Sequence, residues 1–282
     1  MLAQGGAGKV YISKVKYTRY NVVLKLMKKN KDNIDETKIM KNITEQILLL
    51  KHSKHFTLFY NYYECGKTDV EHPLISVSEL ADGDLYTLLT SSGFFDNVDV
   101  AVNNLYNLLV QCIVSLGTFH NFGYIHNDAH DRNFFYQTNN DNKEGYYKYK
   151  YDTNKTFYIK SCKYNLILSD FGQSIHLNIN TEKKDDIKDD IIRILERFNS
   201  VILSKYNNDI KNITNTKLHK FINDISTLQK YLKSTYNFAD LLKELYTVVP
   251  QDILSQTIPK KSSNILNKQD FDITIKDSKP VM

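Results

Sequence analysis

Short runs of β-branched and aromatic residues occupy the first eighty positions, and longer stretches with helical spacing follow. Residues 2–10 read Leu-Ala-Gln-Gly-Gly-Ala-Gly-Lys-Val and continue into Tyr-Ile-Ser. A glycine cluster between strand-forming flanks predicts strand–turn–strand. Asn21-Val22-Val23-Leu24-Lys25 predicts the next strand. Its lysine ends an apolar run, where a charge needs an anionic partner unless it faces water from a sheet edge. Residues 28–35 read as a charged connector. Over residues 36–51, Ile39, Met40, Ile43, Ile47, Leu48 and Leu50 return at helical spacing. Residues 56–63 and 74–78 predict two further strands around a turn at Gly66. Glu79-Leu80-Ala81-Asp82-Gly83-Asp84-Leu85 then breaks the pattern with acids and a glycine, which marks a hinge over 79–84.

Beyond the hinge the spacing becomes helical. Residues 97–120 predict one long helix, with Val100, Leu105, Leu108, Leu109, Cys112, Ile113, Leu116 and Phe119 as its core stripe. A helix over 185–198 and two or three amphipathic helices over 210–249 follow. Between them lies an insertion, 137–164, in which Tyr146–Tyr151 and residues 156–160 pair as a solvated hairpin across Asp152-Thr153-Asn154. Alternating Tyr and Lys could also stack on single-stranded nucleic acid, but Asp141, Glu144 and Asp152 dilute the charge, so no specific nucleic-acid binding is expected. From residue 259 to 282 Lys, Ser, Asn and Asp dominate, and the tail is expected to be disordered. The pattern is α+β and bilobal: a mostly β lobe with one helix over 1–78, and a larger helical lobe over 85–258.

Composition adds little that competes with this reading. The 282 residues are 41% hydrophobic and 24% charged, ordinary for a globular chain. A net charge of +5 suits a polyanionic ligand without requiring nucleic acid. No apolar run approaches the ~20 residues that span a bilayer, so no membrane span is expected. The first residues lack a basic-then-apolar signal. Cys65, Cys112 and Cys162 have no metal-ligand spacing, which predicts reduced thiols and an intracellular, cytoplasmic location.

The candidate chemistry lies in Tyr124-Ile125-His126-Asn127-Asp128-Ala129-His130-Asp131-Arg132-Asn133-Phe134-Phe135 and in Ser169-Asp170-Phe171-Gly172. An Asp with an Asn five positions later is, alone, most often a solvated loop of Asx-turns. Joined in order to Asp-Phe-Gly, the pair acquires a purpose. A nucleoside triphosphate with Mg²⁺ presents a hard cation that wants carboxylate and amide oxygens. On that chemistry Asp128 is expected to accept or orient the proton of an attacking hydroxyl, and Asn133 and Asp170 to hold the metal. Glu45, in phase with Leu48 and Leu49, is expected to face Lys25, with Glu36 as the competing partner. Backbone groups of Glu79 and Ala81 suit an adenine edge. Asp84 suits either a ribose or the cap of the next helix. His126 is expected to pack beneath the loop, and Asp190 to turn inward toward the loop backbone while Asp186 and Asp189 serve the helix dipole.

Together these residues resemble the eukaryotic-type protein kinase superfamily over roughly residues 2–200. The Asn/Lys/Tyr-rich style is similar to the divergent kinases of large DNA viruses, which would set the location as host cytoplasm or virion. The resemblance implies ATP and Mg²⁺ as cofactors and a protein substrate. It implies Leu2, Gly5, Gly6, Gly8 and Val10 as the glycine-rich loop, Lys25 at the α/β-phosphates with Glu45 as its helix partner, Asp128 as the catalytic acid–base group, and Asn133 and Asp170 on the metal. Four departures stand out. Ala3 replaces the first glycine of the loop. Asn127 stands where the family usually has Arg, which argues against control by loop phosphorylation. His130 stands where kinases of Ser or Thr carry a Lys at the γ-phosphate, and His-x-Asp-x-His-x-x-Asn resembles kinases of aminoglycosides or choline. Ala-Pro-Glu is missing, and the segment from Gly172 to Asp190 is short. The implied function is a serine/threonine protein kinase. The rivals are a small-molecule kinase and a non-catalytic pseudokinase scaffold.

Overall fold

The computed structural model describes residues 3–5, 8–18, 20–65, 74–139, 143–152, 155–177, 184–233, 236–258 and 264–273. Five strands form the first layer: β1 (Ala3–Gly5), β2 (Gly8–Lys14), β3 (Asn21–Met27), β4 (Phe59–Glu64) and β5 (Leu74–Glu79), in the antiparallel order β1-β2-β3-β5-β4. The predicted turns at Gly66 and at Thr153-Asn154 lie outside the described residues. Register places Val10 and Ser76 on either side of Lys25, so the lysine is central in the sheet and not on an edge.

The helix between β3 and β4, α1 (Lys31–Ile43), begins five residues before the predicted start. Asn30 explains the difference: its side chain accepts from the Asn33 N–H at 2.9 Å, capping a helix whose first turn is the supposed connector. The helix then passes into a π turn over Thr44–Leu48. Glu36, Met40, Ile43 and Ile47 share its buried face, whereas Leu49 and Leu50 project into solvent. Leu49, with which Glu45 is in phase, therefore lies on the exposed side of the helix, and so does Glu45.

After β5 the chain forms β6 (Gly83–Asp84), α2 (Leu85–Thr90) and α3 (Val98–Asn121). By length and composition α3 could cross a bilayer, contrary to the sequence reading, but most of it is buried inside the domain, as befits a core helix. Next come β7 (Tyr124–Ile125), β8 (Phe134–Thr138), β9 (Tyr146–Tyr151), β10 (Lys155–Lys160), β11 (Tyr164–Leu168) and β12 (Ile175–His176). The chain closes with α4 (Lys184–Ser204), α5 (Thr216–Leu232), α6 (Phe238–Val248), β13 (Leu254–Ser255) and β14 (Phe271–Asp272). β8 lies between β11 and β6, and β12 pairs with β7, so the two polar motifs are tied together by short sheets.

Two expectations are corrected here. The hairpin β9–β10 forms, but it is not solvated: Tyr149 and Phe157 are fully buried and stack with ring centroids 5.0 Å apart. Nor is the whole tail disordered. Residues 264–273 pack on the hairpin, where β14 pairs in parallel with β9, Asn267 bonds both backbone groups of Lys148, and Ile273 is fully buried. Hydrophobic anchors among polar residues decide that outcome, and average composition hides them.

The buried hairpin also fixes a titratable group. His55 donates through Nδ1 to the Leu166 carbonyl at 2.9 Å, which leaves Nε2 to accept from the Tyr149 hydroxyl at 2.7 Å. That pairing requires the neutral ring. Burial, reinforced by the adjacent Lys54 ammonium, pulls its pKa down to about 3, against a small opposing pull from the Leu166 carbonyl. A folded pKa below the unfolded ~6.5 gives stability that is complete above pH ~6.5 and fades as the pH falls toward 3, by as much as roughly 4 kcal/mol. Urea melts from pH 7 to pH 4 should show a steeper loss for the wild type than for His55→Gln. Parallel losses would rule out His55 as the source.

Candidate active site

A cavity of about 410 Å³ opens between the five-stranded sheet and the helical region. Its walls include Val10, Lys25, Glu36, Ser76, Glu79 and Asp170. Lys25 reaches in from β3, and its Nζ lies 2.7 and 3.0 Å from the two oxygens of Glu36 and 3.7 Å from Asp170 Oδ1. The partner of Lys25 is thus Glu36 and not Glu45. Glu45 lies on the exposed side, 3.8 Å from Lys41. Burial pulls the Lys25 ammonium down, but Glu36 and then Asp170 outweigh it and hold its pKa above the usual value. Burial pushes the Glu36 carboxyl up, against the pull of Lys25. The cation is the better-compensated member of the pair, because it has two carboxylates around it.

The remaining N-terminal candidates are distributed unevenly. Leu2 and Gly6 lie outside the described residues. Gly5 pairs with Gly8 at the end of the β1–β2 ladder. Gly8 has φ +146°, and a Cβ there would meet the Leu26 carbonyl oxygen at 2.1 Å, so close strand packing already demands glycine. Val10 reaches the cavity. Glu79 and Ala81 lie along the opposite rim. The Glu79 carboxylate accepts from the Leu58 N–H at 2.6 Å and from Gln137 at 2.5 Å, while the Ala81 backbone forms no hydrogen bond among the described residues. Asp84 caps α2 by accepting from the Thr87 N–H at 2.6 Å and also lines the cavity.

Below this rim the two polar motifs meet. The Asn133 amide donates to the Asp128 carbonyl at 2.9 Å and to Asp128 Oδ2 at 3.1 Å, and the Ser169 N–H donates to the Asn133 carbonyl at 2.9 Å. With its nitrogen committed to Asp128, Asn133 has Oδ1 left as an acceptor. Among the described residues no three His, Cys, Asp or Glu side chains gather into a cage. One carboxylate, Asp170, with one amide oxygen suits instead a hard cation that takes its other ligands from phosphates and water. The donor set therefore fits Mg²⁺. Asp170 has φ +57°, and Phe171, fully buried, packs on Phe119 and His126 with centroids 5.4 and 5.5 Å away.

The loop carrying Asp128 is fixed from beneath. Asp190 of α4 accepts from the His126 and Asn127 N–H groups, each at 2.8 Å, and from His120 Nε2 at 3.0 Å. This is the inward placement the sequence suggested. His126 is buried, donates through Nε2 to the Ser169 carbonyl at 2.9 Å, and has its pKa lowered chiefly by burial. Arg193 donates to the Asn127 carbonyl, and Arg197 Nε donates to the buried Asp131 at 3.0 Å.

His130 belongs to a different wall. With Asp128 it lines a second cavity, of about 450 Å³, and it does not line the first. Its Nδ1 accepts from the Arg132 N–H at 3.1 Å, so the neutral ring carries its proton on Nε2, which faces Asp128 Oδ2 at 3.5 Å. Thr57 and Ser76 line the first cavity without a sequence expectation behind them, and Met40, Phe135 and Ser169, quoted within the helical stripe and the two motifs but given no role there, line it as well. Ser169 and Phe135 had a usable signal, because they adjoin Asp170 and the Asn133 motif, whereas Ser76 is set opposite Lys25 by the pairing of β5 with β3.

Comparison with known proteins converges on one family. The model for "Protein tyrosine and serine/threonine kinase" matches residues 1–194. The serine/threonine-protein kinase ppk35 of Schizosaccharomyces pombe is 26% identical over 133 residues, which is 47% of this chain and 20% of that protein. A probable serine/threonine-protein kinase of Dictyostelium discoideum is 30% identical over 140 residues, 49% of this chain and 28% of that protein. The aligned part of the chain thus spans less than a third of either relative.

Proposed function

The chain belongs to the protein tyrosine and serine/threonine kinase family, and from that premise we propose that it transfers the γ-phosphoryl group of ATP to a serine or threonine hydroxyl of a protein. One observation carries the proposal: the Lys25 ammonium stands between Glu36 and Asp170 in a cavity long enough to run to the Glu79–Asp84 rim. In this reading the adenine edge meets the backbone at Glu79 and Ala81, and Lys25 neutralises the α/β-phosphates. The printed names of both relatives support the serine/threonine class.

The acceptor hydroxyl attacks the γ-phosphorus, a new O–P bond forms as the P–O bond to ADP breaks, and ADP leaves with the electron pair. Asp128 takes up the hydroxyl proton, which is later released to water. The Asn133 amide and the His130 Nε2–H both face this carboxylate, so they orient it toward the acceptor. Mg²⁺, when bound by Asn133 Oδ1 and Asp170, supplies neutralisation of the phosphate charge. Catalysis of this kind is mostly positioning and charge stabilisation.

Incubation with γ-labelled ATP, Mg²⁺, mixed proteins and mixed alcohols should yield phosphoserine or phosphothreonine. Label on tyrosine, or only on an aminoglycoside or choline, would overturn the acceptor class. A folded chain that transfers no label would favour the scaffold reading.

A further inference from the structure

The second cavity opens beside Asp128 and is walled by Asp128, His130, Arg132, Arg193, Glu196 and Arg197. Its cations come from two elements. Arg132 lies on the loop between Asp128 and Asn133, while Arg193 and Arg197 stand on successive turns of one α4 face. Arg197 is met by the buried carboxylate of Asp131. Arg132 and Arg193 are exposed and form no ion pair among the described residues, and the acids that share the cavity with them are Asp128 and Glu196.

Both arginines are already held in place. The Arg132 guanidinium lies over the Tyr86 ring, 4.3 Å from its centroid, and Arg193 is bonded to the Asn127 carbonyl. Stacking leaves the N–H edge of Arg132 free to donate, and Arg193 spends one of its five N–H groups on the loop. Forked donors with little freedom left to lose favour a planar or tetrahedral oxyanion, at lower ordering cost than a floppy lysine would incur.

We propose that this cavity selects the acceptor: a serine or threonine whose neighbouring residues carry carboxylate or phosphate groups, with the hydroxyl at Asp128 and the oxyanions at Arg132 and Arg193. The assignment rests on the protein-kinase reading above and goes further by naming the substrate class. A lysine- or arginine-rich segment would bring like charge against both guanidinium groups. Asp128 and Glu196 balance the two guanidinium groups in net charge, so the preference rests on the groups that Arg132 and Arg193 can reach directly and not on a net positive field.

The test uses the full chain with Mg-ATP and peptides sharing one Ser/Thr core, flanked by Asp/Glu, by phosphoserine, by Ala/Gln or by Lys/Arg. The acidic and phosphorylated peptides should exceed the neutral one in kcat/KM by roughly tenfold, about one charge-assisted contact. The basic peptide should fall below it. The two anionic arms tell carboxylate from phosphate preference. The advantage should shrink between 0.05 M and 0.5 M salt, because exposed charges are screened. Arg193→Glu and, separately, Arg132→Glu should each lower the acidic-to-basic ratio by tenfold or more. That ratio is taken within each variant, so a general loss of activity does not move it, and Arg132→Glu leaves the Arg193 bond to the loop intact. Peptides phosphorylated without regard to charge, or ratios unchanged in both variants, would overturn the acceptor assignment alone. Absence of transfer to every peptide and protein would overturn the kinase reading and this assignment with it.

Discussion

Asp128→Asn should lower phosphotransfer by about 10²–10⁴-fold, the usual contribution of a positioned acid–base group, while ATP affinity stays within about twofold. The separation follows from the two cavities. Asp128 is absent from the walls of the one that holds Lys25 and Asp170, and it lines the neighbouring one. Its carboxylate is 42% exposed, so an amide of the same size costs little in packing. The bond from the Asn133 amide to the Asp128 backbone carbonyl does not depend on the side chain and keeps the loop closed. Single-turnover rates and nucleotide titration on the same preparation give both quantities. A parallel loss of affinity, or a fall in melting temperature, would make Asp128 a structural residue.

Glu36→Gln should be the second-largest effect, and Glu45→Gln should be silent. Glu36 is buried against Lys25, whose side chain is only 19% exposed. Removing the negative charge leaves a largely desolvated ammonium with Asp170 alone, 3.7 Å away. Breaking a buried pair costs about 3–5 kcal/mol, and the lower end applies here because Asp170 remains and the Gln oxygen still accepts. For a chain of this size that is a fall of about 5–10 °C in Tm, with phosphotransfer reduced as Lys25 shifts toward Asp170. Glu45 pairs at 3.8 Å with a lysine that is more than half exposed, and such substitutions stay within about 0.5 kcal/mol. Equal effects of the two substitutions in melts and assays would contradict the assignment of Glu36.

The confusion between these two glutamates shows where sequence reasoning reaches its limit. Periodicity identifies the helix, but the phase assigned to Glu45 rests on Leu48 and Leu49, and Leu49 projects into solvent where the helix passes through a π turn over Thr44–Leu48. No local propensity announces such a turn. Asn30, by contrast, is a readable N-cap three residues before Asn33, set inside a charged stretch that hides it. The order of residues 264–273 is hidden for a related reason: Ile273 and Phe271 find their partners on β9, more than a hundred residues earlier, and composition cannot report a distant partner.

The polymer order by itself determined the α+β division, the strand lysine and the linked Asp128, Asn133 and Asp170, because turn chemistry, apolar period and metal-seeking oxygens are properties of short segments. It also indicated Asp190, since an aspartate past the helix start has either a dipole or a buried donor to serve. Tertiary structure alone decided which carboxylate meets Lys25, and that Arg132 of the loop and Arg193 of α4 share a cavity with Asp128. Those outcomes depend on helix phase and on contacts between segments far apart in the chain, where burial, and not local preference, determines which charges face each other.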